Sequence, residues 1–174
     1  MVEVNQKIFK SYDVRGIYPT DLNEDAAYAI GRAFAKKVDS GEVAVGSDAR
    51  ISGPALKAKL IEGIIDEGVG VVDIGLVPID AVYFAISKLG YSGIMVTASH
   101  NPKEYNGFKM AWKGMNWVTG KELYREVEKL TDEKSDKKGK VREEDILPGY
   151  IKHVLSFIDV SKIKPLKVVV DAGN

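Results

Sequence analysis

The chain contains no cysteine. Disulfides, thiolate nucleophiles and cysteine metal sites are excluded together, which fits an intracellular protein. An excess of charge of one sign is missing too. Lys and Arg total 25 and Asp and Glu total 25, so there is no net field to attract nucleic acid or an anionic membrane. Long apolar runs are absent, and none approaches the roughly 20 residues that span a bilayer. The opening MVEVNQKIFK has no apolar core of signal-peptide length. The expectation is a soluble, cytoplasmic protein with neither a nucleic-acid nor a membrane partner. What is present is a 45% share of apolar residues in 174, enough for a sizeable core.

The apolar residues are ordered in a repeating rhythm. Residues 23–38 read as a helix: Asn23 can cap it, acids fill its first turn, and Ala27, Ile30, Phe34 and Val38 recur at helical spacing. Residues 43–47 read as a buried strand. A helix over 52–68 follows, with Pro54 in its first turn and Gly68 at its end. Residues 69–75 form the next strand, 78–90 a third helix, 93–99 a third strand and 107–113 a fourth. Alternating strands and helices predict an α/β fold of right-handed crossover units with a largely parallel sheet. The short Tyr105-Asn106-Gly107 connection predicts an antiparallel return, so the sheet is mixed. Two more helices are expected, over 121–130 and 149–158. The charge-dense stretch between them, 131–145, reads as a solvated loop. Residues 164–174 read as an apolar strand, either the last of this sheet or the opening of another unit. Trp112 and Trp117 can contribute to an exposed patch or to hairpin packing.

One stretch stands out for chemistry. After the apolar strand comes TASHNPKEYNGFK, residues 97–109, with Ser99 at the exit of a strand expected to be central. Ligands of open α/β sheets bind outside the carboxyl ends of the strands. A plain polar turn is the competing explanation. A Ser-His hydrolase is disfavoured. Neighbouring side chains on extended backbone face opposite ways, so Ser99 and His100 are poor partners. No Gly-x-Ser-x-Gly elbow exists, and His153 lies in a helix pattern. A serine that carries a phosphoryl group needs cations and oriented donors around it. Arg15, Arg50, Lys103 and Lys109 are the candidate cations.

These motifs resemble one family. TASHNPKEYNGFK is similar to the phosphoserine loop of the α-D-phosphohexomutases. FKSYDVRG (9–16) resembles that family's N-terminal signature, and VAVGSDARISGP (43–54) its first strand-to-helix turn. SYDVRG and YNGFKM most resemble the phosphomannomutase/phosphoglucomutase branch. The resemblance implies a three-layer α/β/α domain with a mixed, mostly parallel sheet over residues 1–160. Residues 161–174 would be a C-terminal strand similar to the start of a second domain. It implies interconversion of hexose 1-phosphate and hexose 6-phosphate through a phosphoserine at Ser99 and a 1,6-bisphosphate intermediate. By the same resemblance Mg2+ is held by the phosphorylated Ser99 together with carboxylates absent from this chain. Glucose 1,6-bisphosphate acts as activator, and the missing C-terminal domains are partners. His100 and Lys109 match the positions for proton transfer and charge stabilisation. Arg15 matches a catalytic and substrate-binding position, and Tyr12 lines the same cleft.

The sequence departs from the pattern in two respects. The family has four domains and this chain resembles one, so the chain alone is expected to be inactive as a mutase. The family also usually has Thr-Pro where Ile79-Asp80 stands. The alternative is a non-catalytic module that binds a sugar phosphate or packs against other domains.

Overall fold

The computed structural model describes residues 4–171. Seven strands form one sheet: β1 (Val14–Ile17), β2 (Glu42–Ser47), β3 (Gly70–Leu76), β4 (Ser92–Val96), β5 (Tyr105–Trp112), β6 (Asn116–Trp117) and β7 (Val141–Glu143). Their order is β1-β5-β4-β2-β3-β7, with β6 on β5. Strand β5 is antiparallel to β1, β4 and β6, whereas β2, β3, β4 and β7 run parallel. Only β5 is reversed. The sheet is therefore mixed but mostly of one direction, as expected, although the expected turn at 105–107 is not one: Tyr105, Asn106 and Gly107 lie in β5 and pair with β1, and residues 97–104 make the connection from β4.

Both faces of the sheet are covered, because the buried strands are apolar on both sides. Val43, Val45, Ile94, Val96, Phe108 and Met110 face a core shared with α1 (Glu24–Ala35) and α2 (Gly53–Asp66). Leu123 of α4 (Gly120–Val127) joins that side. Ala44, Val72, Met95 and Ala111 face the opposite way, against Ala81 and Val82 of α3 (Ile79–Phe84), with Leu147 and Tyr150 of α5 (Leu147–Leu155) packed alongside. These are the three layers, α/β/α.

Local signals set the helix ends. The Asn23 side chain accepts a hydrogen bond from the Ala26 amide and satisfies a free helix donor. Gly68 follows α2 with φ of +85°, a conformation that suits glycine. Helices α1 and α2 approach almost backbone to backbone. A Cβ on Gly31 would stand 2.2 Å from the Leu60 carbonyl oxygen, and one on Gly63 would stand 2.2 Å from that of Tyr28. The helix over 78–90 splits into α3 and a π-helical turn, Ala85–Leu89, closed by Gly90 in the left-handed region. Trp112 stacks on Phe34, and Trp117 meets Tyr83 edge-on while staying half-exposed.

Two further expectations need correction. The apolar run 164–171 forms no strand among the described residues, and Val168, Val169 and Val170 are 72%, 86% and 86% exposed. The remainder of that stretch, 172–174, lies outside the described residues. Strand preference is a preference for a half-buried pleated surface, and no sheet edge meets this run. The stretch 131–145 is more than a solvated loop: β7 pairs with Val71–Asp73, and Arg32 donates to the carbonyls of Thr131 and Glu133. Strand β1 is an additional element at the sheet edge, too short and too polar to stand out by periodicity. No helix of the described residues is long and apolar enough to cross a membrane.

Candidate functional site

Strand β4 lies between β5 and β2, so its carboxyl end opens at the middle of the sheet edge. The Thr97 amide still donates to the Gly107 carbonyl at 2.9 Å, and Thr97 and Ala98 are buried. The chain then turns. Ser99 has φ of +54°, in the left-handed region, where a residue with a Cβ is disfavoured by about 1–2 kcal/mol. The premise of extended backbone at Ser99-His100 therefore fails. Both residues sit exposed in a turn, yet no hydrogen bond joins them among the described residues. The conclusion against a Ser-His pair stands on that geometry.

Such a turn persists only where its surroundings over-determine it, and here they do. The Ser99 amide donates to Thr97 Oγ1 at 2.8 Å, and the Thr97 hydroxyl donates to Asp48 Oδ2 at 2.6 Å. Asp48 follows β2, and its amide donates to the Val96 carbonyl. Arg50 lies two residues on. Its Nη2 donates to the carbonyls of Ser99 and Asn101, both at 2.7 Å. Its Nη1 donates to those of Pro102 at 2.7 Å and Tyr105 at 2.9 Å. Behind the loop, buried Asn106 donates to Ser52 Oγ at 2.8 Å, tying the β4–β5 hairpin to the start of α2.

A second arm reaches the same loop from β1. Asp13 is only 5% exposed. Its Oδ2 accepts from Arg15 Nε at 2.9 Å and from Lys109 Nζ at 3.0 Å. Arg15 Nη1 donates in turn to Asn101 Oδ1 at 2.8 Å. Arg15 pairs with Gly107 across the β1–β5 ladder. There a Cβ on Gly107 would stand 2.1 Å from the Val14 carbonyl oxygen, so glycine is required for β1 to approach. A buried carboxylate thus holds two cations, one of which contacts the serine loop. Tyr12 precedes Asp13 but is 86% exposed and outside this network. Lys103 is exposed on the loop, and Arg50 is engaged by main chain rather than held out toward solvent. His153 packs on Phe84 and Phe157 on α5.

Residues 6–138 match the family model described as phosphoglucomutase/phosphomannomutase, alpha/beta/alpha domain I. The chain belongs to the phosphoglucomutase/phosphomannomutase family. It is 43% identical to a phosphoglucomutase of Neisseria meningitidis over the whole chain, and 43% identical to a phosphomannomutase/phosphoglucomutase of Pseudomonas aeruginosa over 96% of it. A phosphoglucomutase/phosphomannomutase family protein from Burkholderia thailandensis superposes with a TM-score of 0.82 at 35% identity, covering 92% of this chain and 38% of that one. The chain spans 39% of the length of the Neisseria relative and 36% of the Pseudomonas one.

Of the expected residues, the structure brings Ser99, His100, Arg15 and Lys109 to the carboxyl end of β4 and leaves Tyr12 outside their network. Sequence reading missed two members that hold them, Asp13 and Asp48. The signal for Asp13 was available, since residues two apart on extended backbone share a face and Arg15 needs a counter-charge. The expected metal finds only part of a site. Among the described residues no three His, Asp or Glu side chains converge. The described residues thus offer no carboxylate cluster that would hold Mg2+ by themselves.

Proposed function

We propose that this chain carries the phosphoryl-accepting serine of a phosphohexomutase that interconverts hexose 1-phosphate and hexose 6-phosphate. The observation that supports it most is the state of Ser99: exposed at the carboxyl end of a central strand and held in a left-handed turn by buried Thr97 and partly buried Arg50. In the forward half-reaction a sugar hydroxyl attacks the phosphorus of phosphorylated Ser99. A P–O bond to the sugar forms and the P–O bond to Ser99 breaks. His100 takes the hydroxyl proton while Lys109, held as a cation by Asp13, stabilises the charge, and a 1,6-bisphosphate results. Reorientation of the sugar and the reverse transfer return the other phosphoryl group to Ser99. Arg15 and Lys109 lower the cost of bringing two phosphates together, and Tyr12 lines the same cleft at its exposed rim. Such transfers depend chiefly on positioning and charge stabilisation.

In this reading residues 1–160 form the nucleophile-bearing unit and 161–174 lead into the next. The carboxylates that complete a Mg2+ site, and the groups that select the sugar, belong to the parts that the longer relatives possess. The chain alone then shows negligible mutase turnover, and it works in the cytoplasm on hexose phosphates.

The test is intact mass with peptide mapping before and after incubation with glucose 1,6-bisphosphate, the proposed activator. One added phosphate on Ser99 is expected. Phosphate on another residue overturns the assignment of Ser99. No phosphate at all makes the chain a non-catalytic module, for which the exposed Ile151, Phe157 and Ile163 would be the packing surface.

A further inference from the structure

We infer that Arg50 is the positioning residue of the Ser99 loop: its guanidinium, clamped on four main-chain carbonyls, fixes the left-handed turn that presents the serine. This rests on the reading of Ser99 as phosphoryl acceptor. As a loose cation beside the serine, Arg50 invites assignment to phosphate binding. The geometry speaks against that. A guanidinium has five N–H bonds in a fixed planar fork. Four of them, the two on Nη1 and the two on Nη2, point at the carbonyls of Ser99, Asn101, Pro102 and Tyr105. The Nε lies 3.3 Å from Asp48 Oδ2. That fifth N–H makes no hydrogen bond, but it is buried against Asp48, so no donor is left both free and accessible to a ligand.

The four carbonyls belong to the seven-residue segment that leaves Ser99 and enters β5. Oxygens of successive turn residues repel when they face one point, and a cation at that point gathers them. Asp48 completes the device. Its Oδ1 accepts from the Arg50 amide at 3.1 Å, while its Oδ2 accepts from the Thr97 hydroxyl that in turn receives the Ser99 amide. The main chain of Ser99 is thus held at both ends, by its amide through Thr97 and Asp48, and by its carbonyl through Arg50. Only its side chain is uncommitted. The Arg50 side chain is 13% exposed; its bonds to Asn101 and Tyr105 are part-buried and compete less with water than those to Ser99 and Pro102 at the exposed rim.

The experiment compares amide hydrogen exchange and phosphate uptake in the whole chain and in Arg50→Gln and Arg50→Lys. Exchange is followed by mass spectrometry on the peptides covering 97–106 and on those of β2, β3 and α1. With Arg50→Gln, exchange in 97–106 should rise by about tenfold or more, while the other peptides stay at wild-type rates. Phosphate taken up on Ser99 from glucose 1,6-bisphosphate should fall by about a hundredfold. Arg50→Lys keeps the charge beside Asp48 but cannot reach four acceptors, so it should behave like Arg50→Gln, and it carries the test if Arg50→Gln does not fold. Unchanged exchange in 97–106 overturns the inference, as does a uniform rise across every peptide. Wild-type exchange in Arg50→Lys also overturns it, because charge without the fork would then suffice. If wild-type phosphate maps away from Ser99 the mutase reading falls, whereas the exchange data still decide the role of Arg50.

Discussion

Two arginines fasten loops in this protein, at opposite edges of the sheet, and they differ in what surrounds them. Helix α2 starts at the carboxyl edge, near Arg50, and ends at the amino edge, where Arg32 sits. Arg50 holds the carbonyls of residues 99, 101, 102 and 105. Arg32 holds the carbonyls of Thr131 and Glu133, and its Nε donates to Glu67 at 2.5 Å. Near Arg32 the charges are paired. Glu67 lies between Arg32 and Lys36, and Asp66 lies between Lys134, Lys138 and the Tyr28 hydroxyl. Near Arg50 the loop is held just as firmly, but the Ser99 hydroxyl and the His100 ring make no hydrogen bond among the described residues. Fastening by a guanidinium therefore does not identify a site. The side chains left uncommitted on a fastened loop do.

That contrast can be broken experimentally, and Ser99→Ala gives the largest effect. Phosphate uptake should disappear while the denaturation midpoint stays put, since the removed hydroxyl is exposed and unbonded. Loss of stability with retained uptake would place the chemistry elsewhere. Arg32→Met comes next. It leaves Glu67, only 6% exposed, with Lys36 alone and frees two loop carbonyls. Breaking a buried pair of this kind costs about 3 kcal/mol, read from urea unfolding at pH 7. Uptake by the folded fraction should be unchanged. A loss of uptake would show that the two edges are coupled.

Asp66→Asn should have a smaller effect, confined to acid. Burial pushes the Asp66 carboxyl up, but hydrogen bonds from Lys134, Lys138 and Tyr28 outweigh it and hold the group well below its ordinary 3.8. A carboxyl lowered on folding contributes stability above its unfolded value and loses it as pH falls below that value toward the folded one. Wild type should therefore lose stability below about pH 4, and Asp66→Asn should lose less over that interval. Thermal melts between about pH 6 and pH 2.5 would measure it. Parallel curves would mean that the lysines contribute nothing. The smallest effect belongs to Lys59→Ala. Lys59 and Glu62 form an exposed pair within one helical turn that fastens no loop, and its removal should leave the midpoint where it was.

Much of this organisation was legible in the sequence, for identifiable reasons. The crossover rhythm shows because β2, β3 and β4 are apolar on both faces and their helices carry proper ends, such as Asn23 and Gly68. The reversal of β5 was expected from a turn at 105–107 that is itself part of β5, but the reasoning survives, because the eight residues 97–104 that join β4 to β5 are too few for a crossover. Ser99 shows because it follows a buried strand. The supports were harder to read. Asp48 and Thr97 are small polar residues whose role depends on two strands being neighbours, a relation between positions 49 residues apart. Strands β1 and β7 take their shape from a partner and hardly at all from their own four and three residues. The opposite error occurred at Val168–Val170, where composition favoured a strand and no edge was there to receive it.

The clamp on the serine loop touches carbonyls alone. Every residue type offers the same carbonyl, so the device reads chain length and ignores chemistry. The side chains of residues 100–105 can then be rewritten freely as far as the clamp is concerned, and new contacts could be written there. Adding or deleting a single residue between 99 and 105 is another matter, because it shifts every acceptor out of the fork at once. The loop behaves as a cassette of fixed length and open content. A library randomised at 100, 103 and 104 should keep its fold, and one varied in length should lose the turn.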